Sequence, residues 1–161
     1  GFRKFRLLMS KYGFSISIIL IELILIFGLF LLDQLTKMLF YDHKIGQELW
    51  ILEPVFNTGI SRGLKLNAWI ILMVSALGLG LFVYLWRKKY ISSPIFVLMF
   101  AWTVWNLSDR LILWGVRDFV SLGSFPVFNV ADCFLTVAVI ILLRNEFFPC
   151  NWNKKPYLQG K

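Results

Sequence analysis

The chain has 161 residues, 58% of them hydrophobic and 16% charged, with a mean hydropathy of +0.71 and a formal net charge of +8. Soluble domains are roughly 45–50% apolar and about 25% charged, so this composition excludes an ordinary soluble domain, and the length fits one membrane domain better than two. The basic residues gather beside apolar spans, which fits membrane topology and argues against nucleic acid as a partner.

Residues 14–32 form the first apolar span. It is long enough to cross a hydrocarbon core at ~1.5 Å per residue and too long for the core of a secretory signal. Residues 33–67 follow as a long loop. Its stretch 49–61 is rich in Trp, Ile, Val and Phe and carries Pro54 and Gly59. That pattern predicts a small strand-rich cap, with an all-helical amphipathic cap as the alternative. The second span is 68–86. The third, 95–114, is interrupted by Asn106, Asp109 and Arg110, and the fourth, 127–143, by Asn129 and Asp132. The expected fold class is an all-α membrane protein: a four-helix transmembrane bundle with a small β-rich outer cap, in a single domain of residues 1–161.

Eleven basic residues fall on one side of these spans: Arg3, Lys4, Arg6, Lys11, Arg87, Lys88, Lys89, Arg144, Lys154, Lys155 and Lys161. Six fall on the other: Lys37, Lys44, Arg62, Lys65, Arg110 and Arg117. The richer side is expected to be cytoplasmic, which puts both termini inside and the loops 33–67 and 115–126 outside. Cys133 and Cys150 read as free thiols with no metal-ligand spacing, and His43 as a surface loop residue.

A carboxylate in hydrocarbon costs several kcal/mol unless it is paired, wet or neutralised, so each one is a functional hypothesis. Asp109 lies five residues before the outer end of the third span, and Asp132 lies five residues into the fourth. Both are therefore roughly 7–8 Å deep on antiparallel neighbours. Each follows an asparagine by three residues, Asn106 and Asn129, so an amide on the same helix face can orient the acid. Two close carboxyl groups do not both ionise cheaply. One keeps a proton and acts as acid while the other acts as base, and together they can activate water against a carbonyl. The residues alone thus point to an intramembrane hydrolase facing outward. Asp33 ends the first span with Lys37 four residues on, close enough to pair. Glu22, eleven residues earlier, faces the bundle too but lies deeper.

These residues also carry a resemblance. Asp33-Gln34-Leu35-Thr36-Lys37, Asn57-Thr58-Gly59-Ile60-Ser61, Asn106-Leu107-Ser108-Asp109-Arg110 with Val116-Arg117-Asp118-Phe119, and Phe128-Asn129-Val130-Ala131-Asp132 stand in order across the four spans. Together they resemble the bacterial lipoprotein signal peptidases, or signal peptidase II, over nearly all of residues 14–143. The resemblance implies an aspartic endopeptidase of the bacterial cytoplasmic membrane that uses no cofactor. It would cleave prolipoproteins before their diacylglyceryl-modified cysteine. It assigns the catalytic pair to Asp109 and Asp132. It places Asp33, Lys37, Asn57, Gly59, Asn106, Arg110 and Asn129 around the pocket. From the residues themselves, Arg110 could answer charge nearby such as that of Asp118, which is read as structural. Membrane lipids and globomycin-type inhibitors are the further partners implied, and a monomer is expected. Trp105 stands where the family usually has Gly, and Ser61 where it has Ala; both bear on substrate and inhibitor fit.

Plainer readings remain beside these. Asp109 could neutralise Arg110, and Asp132 could cap the fourth helix, where an acid gains a few tenths to about one kcal/mol. Asn57 and Gly59 alone read as a turn. An ion- or proton-coupled transporter is the alternative function. It would need polar residues through the full depth, whereas the second span offers only Ser75 and Tyr84.

Overall fold

The computed structural model describes residues 16–59 and 67–148. Ser61, Cys150 and the basic residues of both ends lie outside them. In chain order the elements are α1 (Ile16–Thr36), a π-helical turn (Lys37–Asp42), β1 (Leu52–Asn57), α2 (Ala68–Arg87), α3 (Ser93–Leu113), β2 (Val116–Val120) and α4 (Val130–Phe147).

Each expected span contains a helix, the structure that satisfies every backbone N–H and C=O within one segment. Three stretches are long and apolar enough to cross a membrane: Ile16–Asp42, Ala68–Arg87 and Ser93–Leu113. The 18-residue α4 carries Asp132, Arg144 and Glu146, so length and composition do not mark it in the same way. Much of α1 and α2 exposes large apolar side chains, among them Ile24, Phe27, Met73 and Leu77, a surface suited to lipid rather than water.

The bundle is organised by α3, which packs on α1, α2 and α4. Ala101 of α3 and Ala131 and Ala138 of α4 are fully buried, and such small residues let helix backbones approach closely. Two core clusters result. One joins Ile95, Phe96 and Val97 to Ala138, and the other joins Ala101 to Ala131 and Phe134. Trp105 packs against this second cluster, and its ring lies 4.3 Å from that of Phe30. It fills the α1–α3 contact where a glycine would leave a gap.

The helix α3 ends at Trp114, whose φ of 64° is left-handed and whose N–H donates to the carbonyl of Arg110. Gly115 follows. A Cβ there would lie 2.6 Å from the Phe56 ring and 3.1 Å from the Asn57 carbonyl oxygen, so a side chain would push β2 away from β1.

The two strands pair antiparallel, with Val55 opposite Asp118, Phe56 opposite Arg117 and Asn57 opposite Val116. The register slips between Leu52 and Val55, where Pro54 has no N–H to give the ladder. The strand expected within 49–61 is therefore present as β1. Its partner comes from the 115–126 loop, for which the sequence predicts no strand. Val120 also bridges to Phe128, and this delivers Asn129 beside the sheet at the start of α4. Helix ends, strands and polar motifs thus meet at one end of the bundle.

Candidate active site

Three polar motifs close the first layer of the site. The helix α1 runs on into the π-helical turn, so Lys37 folds back into the bundle. Its side chain is fully buried, with Nζ 2.7 Å from Asp33 and 3.2 Å from Asp109. Arg117 of β2 approaches Asp109 from the other side at 3.0 Å and reaches Asp42 at 2.9 Å and Gln34 at 2.7 Å. Asp109 accepts from Lys37 and from Arg117 through its backbone N, Nε and Nη2. Three of these donors crowd Oδ2 and one reaches Oδ1, so two cations, Lys37 and Arg117, hold the Asp109 carboxylate. Asp33 accepts from Lys37, from Gln34 and from the backbone N–H of Ala131 at 3.1 Å, which ties α1 to the N-terminus of α4.

The second layer is built from amides. Asn57 accepts at Oδ1 from the Gly59 N–H at 3.0 Å, and Asn129 accepts at Oδ1 from the Asp132 N–H at 3.2 Å. With both carbonyl oxygens engaged, both NH2 groups turn to Asp118. Asn57 donates to its Oδ2 at 2.9 Å and Asn129 to its Oδ1 at 2.7 Å. Asn129 also caps α4, and its own backbone N–H donates to Asp132 Oδ2 at 3.1 Å. This one asparagine therefore touches both carboxyl groups. Asn106 donates to Asp132 Oδ1 at 3.2 Å, as does the indole Nε1 of Trp102 at 2.9 Å. Arg110 binds the Gly59 carbonyl at 3.2 Å and stands in the field of Asp118 and Asp132.

The second layer lines a cavity of about 870 Å³. Asn57, Gly59, Trp102, Asn106, Arg110, Asp118 and Asp132 supply its polar wall, while Ile71, Val74, Val127, Leu135 and Val137 supply its apolar wall. Cys133, an exposed free thiol, borders it too. Burial raises the Asp118 carboxyl to about 6, with the amides of Asn57 and Asn129 opposing the shift and the charge of Asp132 adding to it. Among the described residues, no three His, Cys, Asp or Glu side chains are grouped to hold a metal ion.

The sequence expectations divide accordingly. Asn57, Gly59, Asn106, Arg110 and Asp132 border one cavity, with Asn129 buried behind them. Asp109 is not part of the cavity lining. It lies in the ion-pair layer with Asp33 and Lys37 because Arg117 claims it. Asp118, expected to be structural and to answer Arg110, instead shares the cavity with Asp132. Sequence reasoning left Asp118 out of the acid pair because it counted acids inside apolar spans, and Asp118 sits between them on a strand. The Val-Arg-Asp-Phe pattern beside the asparagine motifs was the available signal. Trp102 was missed too, as one apolar residue among many. Trp105 is absent from the cavity wall, so it acts on helix packing rather than on pocket shape. Glu22 is buried, and its Oε1 has no partner among the described residues.

The fold is that of a multi-pass membrane protein holding two carboxyl groups on one cavity. It superposes on a solved structure described as a bacterial membrane enzyme, determined by the in meso method at 2.3 Å resolution. The TM-score is 0.64 at 23% identity, over 83% of this chain and 94% of that one. The family model for Signal peptidase (SPase) II matches residues 25–148. The chain is similar to the lipoprotein signal peptidase of Rickettsia canadensis (strain McKiel), at 36% identity over 142 residues, 76% of this chain and 72% of that protein. It is also similar to that of Chlamydia pneumoniae, at 32% over 134 residues, 77% and 80% respectively. The chain belongs to the signal peptidase II family and is a peptidase; nothing in these relatives supports transport.

Proposed function

We propose that this chain removes the signal peptide from prolipoproteins bearing a diacylglyceryl-cysteine, cleaving before that cysteine with Asp118 and Asp132 as its acid pair. One observation carries the choice of acids: both line a single cavity and both are bonded by Asn129. Asp109 is the sequence's expected partner of Asp132, but it is held between Lys37 and Arg117 and does not line the cavity.

The roles follow from the surroundings. Three N–H groups donate to Asp132 and fix the orientation of its carboxyl. Asp118 titrates near 6, so it can carry a proton close to neutral pH. Asp132 accepts a proton from water as the water oxygen attacks the scissile carbonyl. Asp118 protonates the amine as the C–N bond breaks. Arg110 sits where it can hold the peptide backbone, and the apolar wall suits the signal sequence.

In this reading α4 is the fourth span. The sheet and acids lie at the extracytoplasmic end, and Arg87, Lys88 and Lys89 mark the cytoplasmic end, as the positive-inside rule requires. Both termini are then cytoplasmic, the enzyme acts as a monomer, and globomycin-type inhibitors compete for the cavity.

The test is cleavage of a diacylglyceryl-modified precursor peptide by purified protein in detergent or liposomes. Asp118→Asn and Asp132→Asn should each lose at least ~10³-fold while remaining folded, as members of one catalytic unit do. Activity retained in either variant would sink the pair.

A further inference from the structure

Trp102 belongs to none of the motifs, yet its indole Nε1 donates to Asp132 Oδ1 at 2.9 Å and its ring lines the cavity. It stands four residues before Asn106 on α3, so the two side chains share a helix face. Asn106 reaches the same oxygen at 3.2 Å. Each carboxylate oxygen offers about two lone-pair sites. Oδ1 is therefore filled, while Oδ2 accepts only the Asn129 N–H. One site is left, and it is on Oδ2. The Trp102 ring is held against Ala101, Ala131 and Phe134, so the donor is fixed by packing.

We infer that Trp102 is a positioning residue: its indole N–H closes Asp132 Oδ1, so that Oδ2 is the oxygen that takes the proton from water. The inference rests on the reading of Asp118 and Asp132 as the acid pair. The water O–H bond breaks as its oxygen bonds the carbonyl carbon, and the proton moves to Oδ2. Asp118 gives its proton to the leaving nitrogen, and the proton on Asp132 then resets Asp118. The charged or titratable groups around Asp132 are Asp118 on β2, Asp109 and Arg110 on α3, Cys133 on α4, Asp33 on α1 and Lys37 in the π-helical turn. None of them donates to Oδ1, so loss of the indole N–H acts on that oxygen alone.

The test measures kcat and KM against pH for wild type, Trp102→Phe and Trp102→Gln, with Asp118→Asn and Asp132→Asn in the same series. Phenylalanine keeps the ring and removes the donor. It should lower kcat about tenfold, leave KM within about threefold, and move the acid limb of the kcat profile up by about one pH unit, because the anionic pair loses a donor. Glutamine restores an N–H and should recover part of both effects. A wild-type acid limb in folded Trp102→Phe, or a change confined to KM, overturns the inference and leaves Trp102 as a cavity wall. In that case, dead Asp118→Asn and Asp132→Asn enzymes leave the acid pair standing. Activity retained in either aspartate variant removes the pair and the inference with it. If neither tryptophan variant folds, the indole N–H resonance of Trp102 decides. It should move upfield in Asp132→Asn, and a resonance that stays in place overturns the inference.

Discussion

Asp33 and Asp109 lie at the same end of the bundle as Asp118 and Asp132, and the two sets differ in what surrounds them. The first set meets cations: Lys37 between its two carboxylates and Arg117 alongside. The second meets neutral amides and one indole. Cations pair with an acid and hold its charge. Amides orient it and leave lone pairs open. The comparison teaches that carboxylates at one end of a bundle are not equivalent candidates for chemistry, and that cationic partners set the brace apart from the acids on the cavity.

The largest expected effect breaks the second set. Asp118→Asn and Asp132→Asn should each cost at least ~10³-fold in turnover, whereas Asp109→Asn should stay within about tenfold per folded molecule, measured on detergent-purified protein with the folded fraction determined separately. Equal losses at all three positions would erase the distinction between the layers.

Lys37→Met should break the first set. It leaves Asp33 and Asp109 without their shared buried cation, which typically costs ~3–5 kcal/mol. Thermal unfolding in detergent should show a fall on the order of 10 °C. A melting temperature within about 2 °C of wild type would mean that the ion-pair layer is not a brace.

A pH series sharpens the comparison. The Asp118 carboxyl is raised in the folded protein to about 6 from 3.8. A raised acid favours the folded state fully below the unfolded value, and that contribution is lost as pH rises through the folded value. Between pH 4 and pH 8, wild type should therefore lose up to about 3 kcal/mol relative to Asp118→Asn. Parallel melting curves for the two proteins over this range would contradict the environment assigned to Asp118. The absolute ranking is a separate matter, because Asn57 and Asn129 both present NH2 groups to this position and an amide accepts at one atom only.

The smallest effect concerns Glu22, far from both layers along α1. Its unpartnered oxygen costs stability where it is buried. Glu22→Leu should raise stability by about 1 kcal/mol without changing turnover; a loss of turnover would give this residue a role that the site does not provide.

The sequence by itself determined the helices, because apolar runs of membrane length permit little else once backbone groups must be satisfied internally. It also brought Asn129 beside Asp132 by their spacing of three, although the structure makes that asparagine the cap of α4 rather than a residue on its face. Asn57, Gly59, Asn106 and Arg110 were legible as ordered motifs, and the cavity gathers all four. What tertiary structure alone decided was which acid meets Asp132. Depth along two helices made Asp109 the natural candidate, but depth does not report azimuth or competition for donors. β2 pairs with β1, and this long-range contact turns Arg117 onto Asp109 and Asp118 onto the amides. Neighbours on a strand point to opposite faces, so one strand pairing sent Arg117 to Asp109 and the brace, and Asp118 to the cavity.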